Sequence, residues 1–520
     1  MLVSNKIKII MGVVCILERV AIIELNSDNF KLVLAEVVKN RSFVIFDEIE
    51  MPINLTKNLL TEEVIKPNTV KETVDVLKVY KEILDRYEIT DVIAIATNIV
   101  KEAKNINGFL NEIFTTSGYR FRIVSAEEEI NSIYTAVINT FNRPKGLIVN
   151  VSNYSTQVLL YNRRNILNTF VMPYGSYNLT DMFYKEGVDG ATASENATKF
   201  VLDQIKDLDW AFNLEEEFDF IGTGNVFLNL GTISRRAKRY PIDVEHNYAM
   251  TKTDFAKVFD VIKPVKPVKG NKIKGISVND SMYLPCGLAI INAFMQKTNK
   301  ENFYISKTGL KEGLLFNYAI PLTIEKPISD NLGYSLQVIN EYYDKKPNNA
   351  KQVYELSMIL FRQLKVLHKL SRSYVRILRV ASYLHDAGLR TSYTNKEKNS
   401  FNTIINSDIY GVTHTELVLA GFVSALRNAD NFSLSDWVRY KDLVTEDQLD
   451  AVKKLAVILK LAESLDVTGF ARIMDISCDI LGDSVIMKTI TESNVDLEIK
   501  CAMMHGNEFK KAFNKNLEIL

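Results

Sequence analysis

Between about residues 18 and 325, short apolar runs alternate with longer stretches in which apolar residues return every three or four positions. This alternation predicts an α/β architecture, because strands and amphipathic helices must cover one another's apolar faces. Val20–Leu25, Lys31–Val37, Val92–Ala96, Phe121–Val124, Leu147–Val151 and Gln157–Tyr161 are short and rich in β-branched residues, and are predicted strands. Ile130, Ile133, Tyr134, Val137, Ile138 and Phe141 form a stripe at helical spacing, and Ser125-Ala126-Glu127-Glu128 ahead of it reads as a capping box. From about 335 to 470 helical periodicity takes over, in Val353–Leu370, Tyr374–Leu384, Leu417–Leu426 and Leu449–Leu465, with Thr391–Ser400 as a connecting loop. Beyond about 472 short strands return, as in Ser484–Thr489, before a helix near Glu508–Phe513. The Lys- and Pro-rich stretch Lys263–Lys274 reads as an exposed loop. The expected fold class is therefore α/β plus all-α. It comprises an N-terminal extension (1–18), two α/β domains (19–143 and 144–325), a helical domain (326–471) and a small C-terminal α/β domain (472–520).

A weak internal repeat sits inside this pattern. Ile22-Ile23-Glu24-Leu25-Asn26-Ser27-Asp28-Asn29 leads into Leu32-Val33-Leu34, and Val149-Asn150-Val151-Ser152-Asn153-Tyr154-Ser155 leads into Val158-Leu159-Leu160. Each reads as strand, tight polar turn, strand. Such hairpins opening two α/β halves would let both turns face one cleft.

Composition narrows the class. The 520 residues carry 63 Lys+Arg against 63 Asp+Glu, which argues against a generic nucleic-acid binder needing a broad basic surface. Residues 331–400 nevertheless hold 12 basic against 5 acidic residues, so neutrality conceals a local basic excess. Cys15, Cys286, Cys478 and Cys501 are scattered without CxxC spacing, so neither a disulfide framework nor a zinc site is indicated. The apolar run Ile9–Leu17 is followed by Glu18-Arg19 rather than a small-residue cleavage site, and no stretch of about 20 apolar residues exists. A cytoplasmic protein with no membrane partner is expected.

Several blocks carry chemistry. Glu24–Val33, Ala96-Thr97-Asn98-Ile99-Val100-Lys101-Glu102-Ala103, Ser125–Glu129 and Val149–Gln157 are followed by Pro173-Tyr174-Gly175, Gly222-Thr223-Gly224, Leu284–Leu288 and Gly309-Leu310-Lys311-Glu312-Gly313-Leu314-Leu315. Tyr383-Leu384-His385-Asp386-Ala387-Gly388 comes last. In this order, and over nearly the whole chain from about residue 19, the sequence resembles the exopolyphosphatase/guanosine pentaphosphate phosphatase (Ppx/GppA) family. The resemblance implies two actin-like (RNase H-like) domains with a substrate cleft between them, then an HD-like helical domain. It also implies removal of terminal phosphate from polyphosphate, or of the 5′ γ-phosphate from guanosine pentaphosphate, assisted by Mg²⁺. Polyphosphate and guanosine penta- or tetraphosphate are the expected partners, and a homodimer is an open assembly state.

Such hydrolysis needs an anion cradle, a metal and a carboxylate that activates water. By resemblance, Glu129 occupies the catalytic position, while an acid run at a helix start also fits simple complementation of the helix dipole. Ser27, Asp28, Lys101, Ser152, Asn153 and Ser155 match substrate-binding positions. Glu24, Asn150 and Gln157 match metal positions, and the last two are degenerate: amides stand where the family carries acids, removing charge that would hold a hard cation. Side chains, Tyr154 among them, replace the glycines of the cradle. Lys101 stands for the family's arginine and loses its planar grip on phosphate.

The helical domain shows similar decay. His385-Asp386 is present, but Asn349 stands where the first family histidine would sit, and the histidine-rich stretch reads Lys396-Glu397-Lys398-Asn399. Asp466 or Glu463 could supply a late carboxylate, and a His385–Asp386 hydrogen-bonded pair within a helical core is the expected outcome. Arg362, Lys365, Lys369, Arg372, Arg376 and Arg379 would form a cationic stripe on one continuous helix, or two solvated faces if Leu370–Ser373 is a turn. Three functions stay open: a weakly active phosphoanhydride hydrolase, a non-catalytic polyphosphate- or alarmone-binding regulator (a pseudoenzyme), or a structural subunit of an active paralogue.

Overall fold

The structure is a computed structural model. It describes residues 8–10, 13–15, 18–26, 29–38, 42–53, 55, 63–97, 100–101, 103–163, 165–212, 217–267, 272–320, 327–343, 349–427 and 434–520. The described residues form two compact units. One holds residues up to 238 together with 248–329, and the other holds 239–247 and 330–520. Part of the early apolar run forms an antiparallel pair, Lys8–Ile10 with Val13–Cys15, and the rest of it lies outside the described residues.

The first unit contains two sheets. β1 (Glu18–Leu25), β2 (Asn29–Val37), β3 (Phe43–Pro52), β4 (Asp91–Ala96) and β5 (Arg122–Ile123) form the first, in the order β3-β2-β1-β4-β5. Between them run α1 (Pro67–Arg86) and α2 (Ile106–Ser117), and α3 (Ala126–Thr140) follows β5. β6 (Lys145–Val151), β7 (Thr156–Asn162), β8 (Asn165–Met172), β9 (Asp219–Thr223), β10 (Tyr248–Thr251) and β11 (Asn302–Ile305) form the second, in the order β8-β7-β6-β9-β11-β10. The first five strands of each sheet thus follow one plan: an antiparallel meander, then two parallel additions on the far side of its first strand.

Burial explains the central strands. From Val20 onward every residue of β1 is buried, so both faces demand apolar or paired side chains, which the run Val-Ala-Ile-Ile supplies. β3 is the sheet edge, and its Asp47, Glu48 and Glu50 charge it against further pairing. Helix α3 starts where Ser125 Oγ accepts the Glu128 amide, 3.1 Å away. The other half of the expected capping box is redirected, because the Glu128 carboxylate pairs with Arg122 at 2.6 Å. The stripe Ile130, Ile133, Val137, Ile138 and Phe141 packs with Ile148, Leu159, Tyr161 and Ile221 of the second sheet. Five longer helices follow in the chain, α4 (Ser176–Phe183), α5 (Gly190–Gln204), α6 (Asn225–Lys238), α7 (Lys252–Ile262) and α8 (Val278–Thr298). Helix α9 (Leu310–Ala319) lies against α3 so closely that a Cβ at Gly313 would strike the Ser132 carbonyl.

The second unit packs α10 (Asn331–Tyr343), α11 (Asn349–Gln363), α12 (Tyr374–Leu384), α13 (Lys396–Ile405), α14 (His414–Leu426) and α15 (Glu446–Ser464) around one apolar core. A three-stranded sheet of β12 (Ile473–Ile480), β13 (Ser484–Thr491) and β14 (Asn516–Ile519), with two short helices between the last two strands, joins the same core. Residues 239–247 belong here too. Tyr240 bonds His414 Nδ1 at 2.9 Å, and Asn247 Nδ2 donates to the Val412 carbonyl at 2.7 Å. No sequence pattern marks that excursion.

Two expectations are corrected. Thr391–Ser400 is not all loop, because α13 begins at Lys396 and turns Phe401, Ile404 and Ile405 into the core. The Val353–Leu370 segment is not one helix: α11 ends at Gln363, a short turn follows, and Lys369 has a φ of 56°. The cationic stripe is broken there, and Arg376 and Arg379 are paired with Glu416 at 3.0 Å and Asp330 at 2.7 Å. In the Lys263–Lys274 stretch, 268–271 lie outside the described residues, and the rest form neither helix nor strand.

Candidate active site

The two hairpins match down to their hydrogen bonds. In the first, the Asn26 amide donates to the Asn29 carbonyl at 2.9 Å; in the second, the Ser152 amide donates to the Ser155 carbonyl at 3.0 Å. Strand register then puts Glu24 opposite Lys31 and Asn150 opposite Gln157, each one step back from the turn. Opposed residues on one sheet face are near enough to interact directly.

They interact differently in the two halves. Glu24 is only 8 % exposed, and burial pushes its carboxyl pKa up, against the opposing pull of Lys31, Lys311 and an Asn26 hydrogen bond. Asn150 and Gln157, 8 % and 3 % exposed, bond to each other, Asn150 Nδ2 donating to Gln157 Oε1 at 2.6 Å. The Gln157 amide nitrogen is then left to donate onward, to the Glu129 carboxylate. Glu129 lies in the first turn of α3, partly buried, and burial pushes its pKa up to about 7, with the charge of Glu24 adding to the rise. The site thus holds a chain of side chains, Asn150 to Gln157 to Glu129, ending on a carboxyl that exchanges protons near neutrality.

Of the residues singled out from the sequence, the structure brings together Glu24, Glu129, Asn150 and Gln157. Ser152 and Ser155 close their own turn, with Ser152 Oγ donating to the Ser155 carbonyl at 2.9 Å. Asn153 Oδ1 accepts from Ser176 Oγ at 3.2 Å, and Lys101 is exposed just after β4. Ser27 and Asp28 lie outside the described residues. The Tyr154 ring packs 5.0 Å from Tyr177, which in turn lies 4.9 Å from Tyr283. Gly175 lets this happen, because a Cβ there would meet the backbone of residues 152–154, 2.6 Å from the Tyr154 nitrogen.

Sequence reasoning missed three charged neighbours. Lys31 pairs with Glu48 at 3.0 Å, Lys311 also pairs with Glu48, and Glu312 is buried at the start of α9, accepting the Gly309 amide at 2.8 Å. Lys31 was legible from register once the hairpin was recognised, and the other two lie inside the Gly309–Leu315 block.

Two sheets built on one plan, each opening on a hairpin, with Glu129 bonded to the second hairpin, and a helical second unit define a two-sheet α/β protein with a carboxyl-centred polar site. A profile described as the Ppx/GppA phosphatase family matches residues 33–320, and one described as Ppx/GppA phosphatase, domain III, matches residues 334–496. This chain belongs to the Ppx/GppA phosphatase family. A guanosine-5'-triphosphate,3'-diphosphate pyrophosphatase of Aeromonas hydrophila is 23% identical over 456 residues, covering 85% of this chain and 86% of its own. The Ppx/GppA family member of Aquifex aeolicus aligns with a TM-score of 0.52 at 21% identity, over 59% of this chain and 100% of its own. An exopolyphosphatase of Cytophaga hutchinsonii aligns with a TM-score of 0.53 at 19% identity, over 58% of this chain and 98% of its own. These likenesses agree with an actin-like amino-terminal part followed by a helical region. Among the described residues no helix is long and apolar enough to cross a membrane.

Proposed function

We propose that the protein hydrolyses the terminal phosphoanhydride bond of polyphosphate or of guanosine pentaphosphate, slowly, with Glu129 as general base. The single observation that carries this reading is the Glu129 carboxyl, raised to about 7 and oriented by Gln157. Its ionised oxygen would take the proton of a water attacking the terminal phosphorus, while the bridging P–O bond breaks and its electron pair leaves with the shortened chain. Lys31 and Lys311 would supply positive charge beside Glu24, and Lys101 and the turns 26–29 and 152–155 would line the phosphate path. We also read the His385-Asp386 step as HD-like, and the division at about 143, 325 and 471 as that of the domains.

The Mg²⁺ implied by the resemblance is poorly matched by these residues. Asn150 and Gln157 satisfy each other, and Glu24, Glu129 and Glu312 do not come together as a three-ligand cluster among the described residues. A second reading, a regulator that binds polyphosphate or an alarmone without cleaving it, is favoured by the same amide pair and by the Tyr154 side chain in the turn.

Phosphate release from long-chain polyphosphate and from guanosine pentaphosphate, with and without Mg²⁺, separates the two. Release by the wild type that disappears in Glu129→Ala supports hydrolysis. Binding seen by calorimetry without release would replace it with the regulatory reading.

A further inference from the structure

In the helical unit, far along the chain from the hairpins, one ligand atom each of His385, Asp386 and Glu463 lie within 4.8 Å of one another. Imidazole plus two carboxylates is a donor set for a divalent cation. The histidine is also oriented as a ligand would be. His385 is 1 % exposed, and its Nδ1 lies 2.7 Å from the Ser382 carbonyl, which can only accept, so the proton sits on Nδ1. The lone pair of Nε2 is left pointing inward with no hydrogen-bond partner.

The cation's place is taken by protein. Arg427, 5 % exposed, reaches Asp386 Oδ1 at 2.9 Å with one terminal nitrogen and Glu463 Oε2 at 3.2 Å with the other. Lys396 Nζ lies 3.0 Å from the same Asp386 oxygen and 3.6 Å from Glu463 Oε1. Two positive charges face two carboxylates, the same balance a divalent ion would give. Of the two late acids left open by the sequence, Glu463 joins His385, while Asp466 accepts from Asn349 at 3.0 Å. The expected His385–Asp386 hydrogen bond is absent, the two being 3.8 Å apart.

We infer that Arg427 and Lys396 permanently occupy a divalent-cation site, so that the helical unit keeps the metal-binding arrangement but uses its own guanidinium and ammonium in place of the ion. The cluster then works as an internal staple joining α13, α15, the end of α12 and the end of α14. The proposal is independent of the reading given for Glu129, since its test needs no activity.

Untagged full-length protein, stripped with chelator, is titrated with Co²⁺ and followed by visible absorption and calorimetry. Wild type should show no Co²⁺ signal that His385→Ala removes. Arg427→Ala/Lys396→Ala should gain one equivalent bound at least about tenfold more tightly, and lose it again when His385→Ala is added. Arg427→Lys, which keeps a cation, should stay free of Co²⁺. If the double variant is unfolded without metal, it should refold on Co²⁺ addition, as followed by circular dichroism. A wild-type Co²⁺ site abolished by His385→Ala would overturn the proposal. So would a folded double variant that takes up no Co²⁺, an unfolded one that Co²⁺ does not refold, or an Arg427→Lys variant that binds Co²⁺.

Discussion

Replacing Glu129 by glutamine should stabilise the protein at alkaline pH and leave it almost unchanged at acid pH. The carboxyl titrates at about 7 in the folded chain against an ordinary 4.5, so folding favours its protonated form. Its contribution is therefore fully present below about 4.5 and is lost as the pH rises through about 7. Each pKa unit corresponds to about 1.4 kcal/mol, and the full displacement would give about 3 kcal/mol. Residual solvent contact at this partly buried side chain reduces the expectation to about 2 kcal/mol. Glutamine is neutral at every pH and can still accept from the Gln157 amide, so it imitates the protonated acid without removing the hydrogen bond. Urea unfolding of both proteins at about pH 5 and about pH 8 reads the difference directly through the midpoint at unchanged slope. A stability gap that stays the same at both values would refute burial as the origin of the raised pKa, and with it the case for a base poised near neutrality.

Three further outcomes follow from the same geometry. If Glu129 must be ionised to accept a proton, the rate of phosphate release should climb with pH through about 7, and a profile flat from about pH 5 to 8 would exclude it as the base. Asn150→Asp/Gln157→Glu adds two acids beside Glu129 and removes its donated hydrogen bond. Phosphate release by that variant should fall at least about tenfold without Mg²⁺ and recover when Mg²⁺ is added, whereas unchanged metal-free release would show that the amide pair plays no part. Gly175→Ala should lower stability by about 1–3 kcal/mol in urea melts, because its Cβ would press on the 152–154 backbone.

Local features of the hairpins were legible because short β-branched runs flanking a four-residue turn leave little freedom in pairing. Once the turn is set, Glu24 must oppose Lys31 and Asn150 must oppose Gln157. What the sequence hid was tertiary. Arg427 stands 41 residues from Asp386, at the end of an apolar helix, and nothing local distinguishes it from a surface arginine. Lys396-Glu397-Lys398-Asn399-Ser400 is polar enough to pass for a loop, and becomes the start of a helix because Phe401, Ile404 and Ile405 anchor its next turn in the core. The 239–247 excursion is held by Tyr240, His246 and Asn247 bonding around His414 and Val412, contacts between segments about 170 residues apart that no periodicity announces.

On the proposed reading, the same cross-strand position also accounts for a phosphatase site with few metal-holding acids and a base at Glu129. Clustered carboxylates are tolerable around a divalent cation, and without one their mutual repulsion raises pKa values until some are protonated. The first hairpin answers this with Lys31 opposite Glu24, and Lys311 adds a second positive charge. The second hairpin holds amides at the matching pair, Asn150 and Gln157, which bond to each other and so bury no unsatisfied charge. Gln157 still donates to Glu129, so the geometry around the proposed base survives the change in charge. At Glu129 burial outweighs the Gln157 hydrogen bond, and the charge of Glu24 adds to the rise to about 7. A carboxylate in that state accepts a proton more readily than an ordinary one. On the proposed reading, amides at positions 150 and 157 would leave proton abstraction by Glu129 intact and shift the deficit to stabilisation of the charge that builds on the phosphoryl group. Low turnover with a rate that rises through about pH 7 is the kinetic form expected of that deficit.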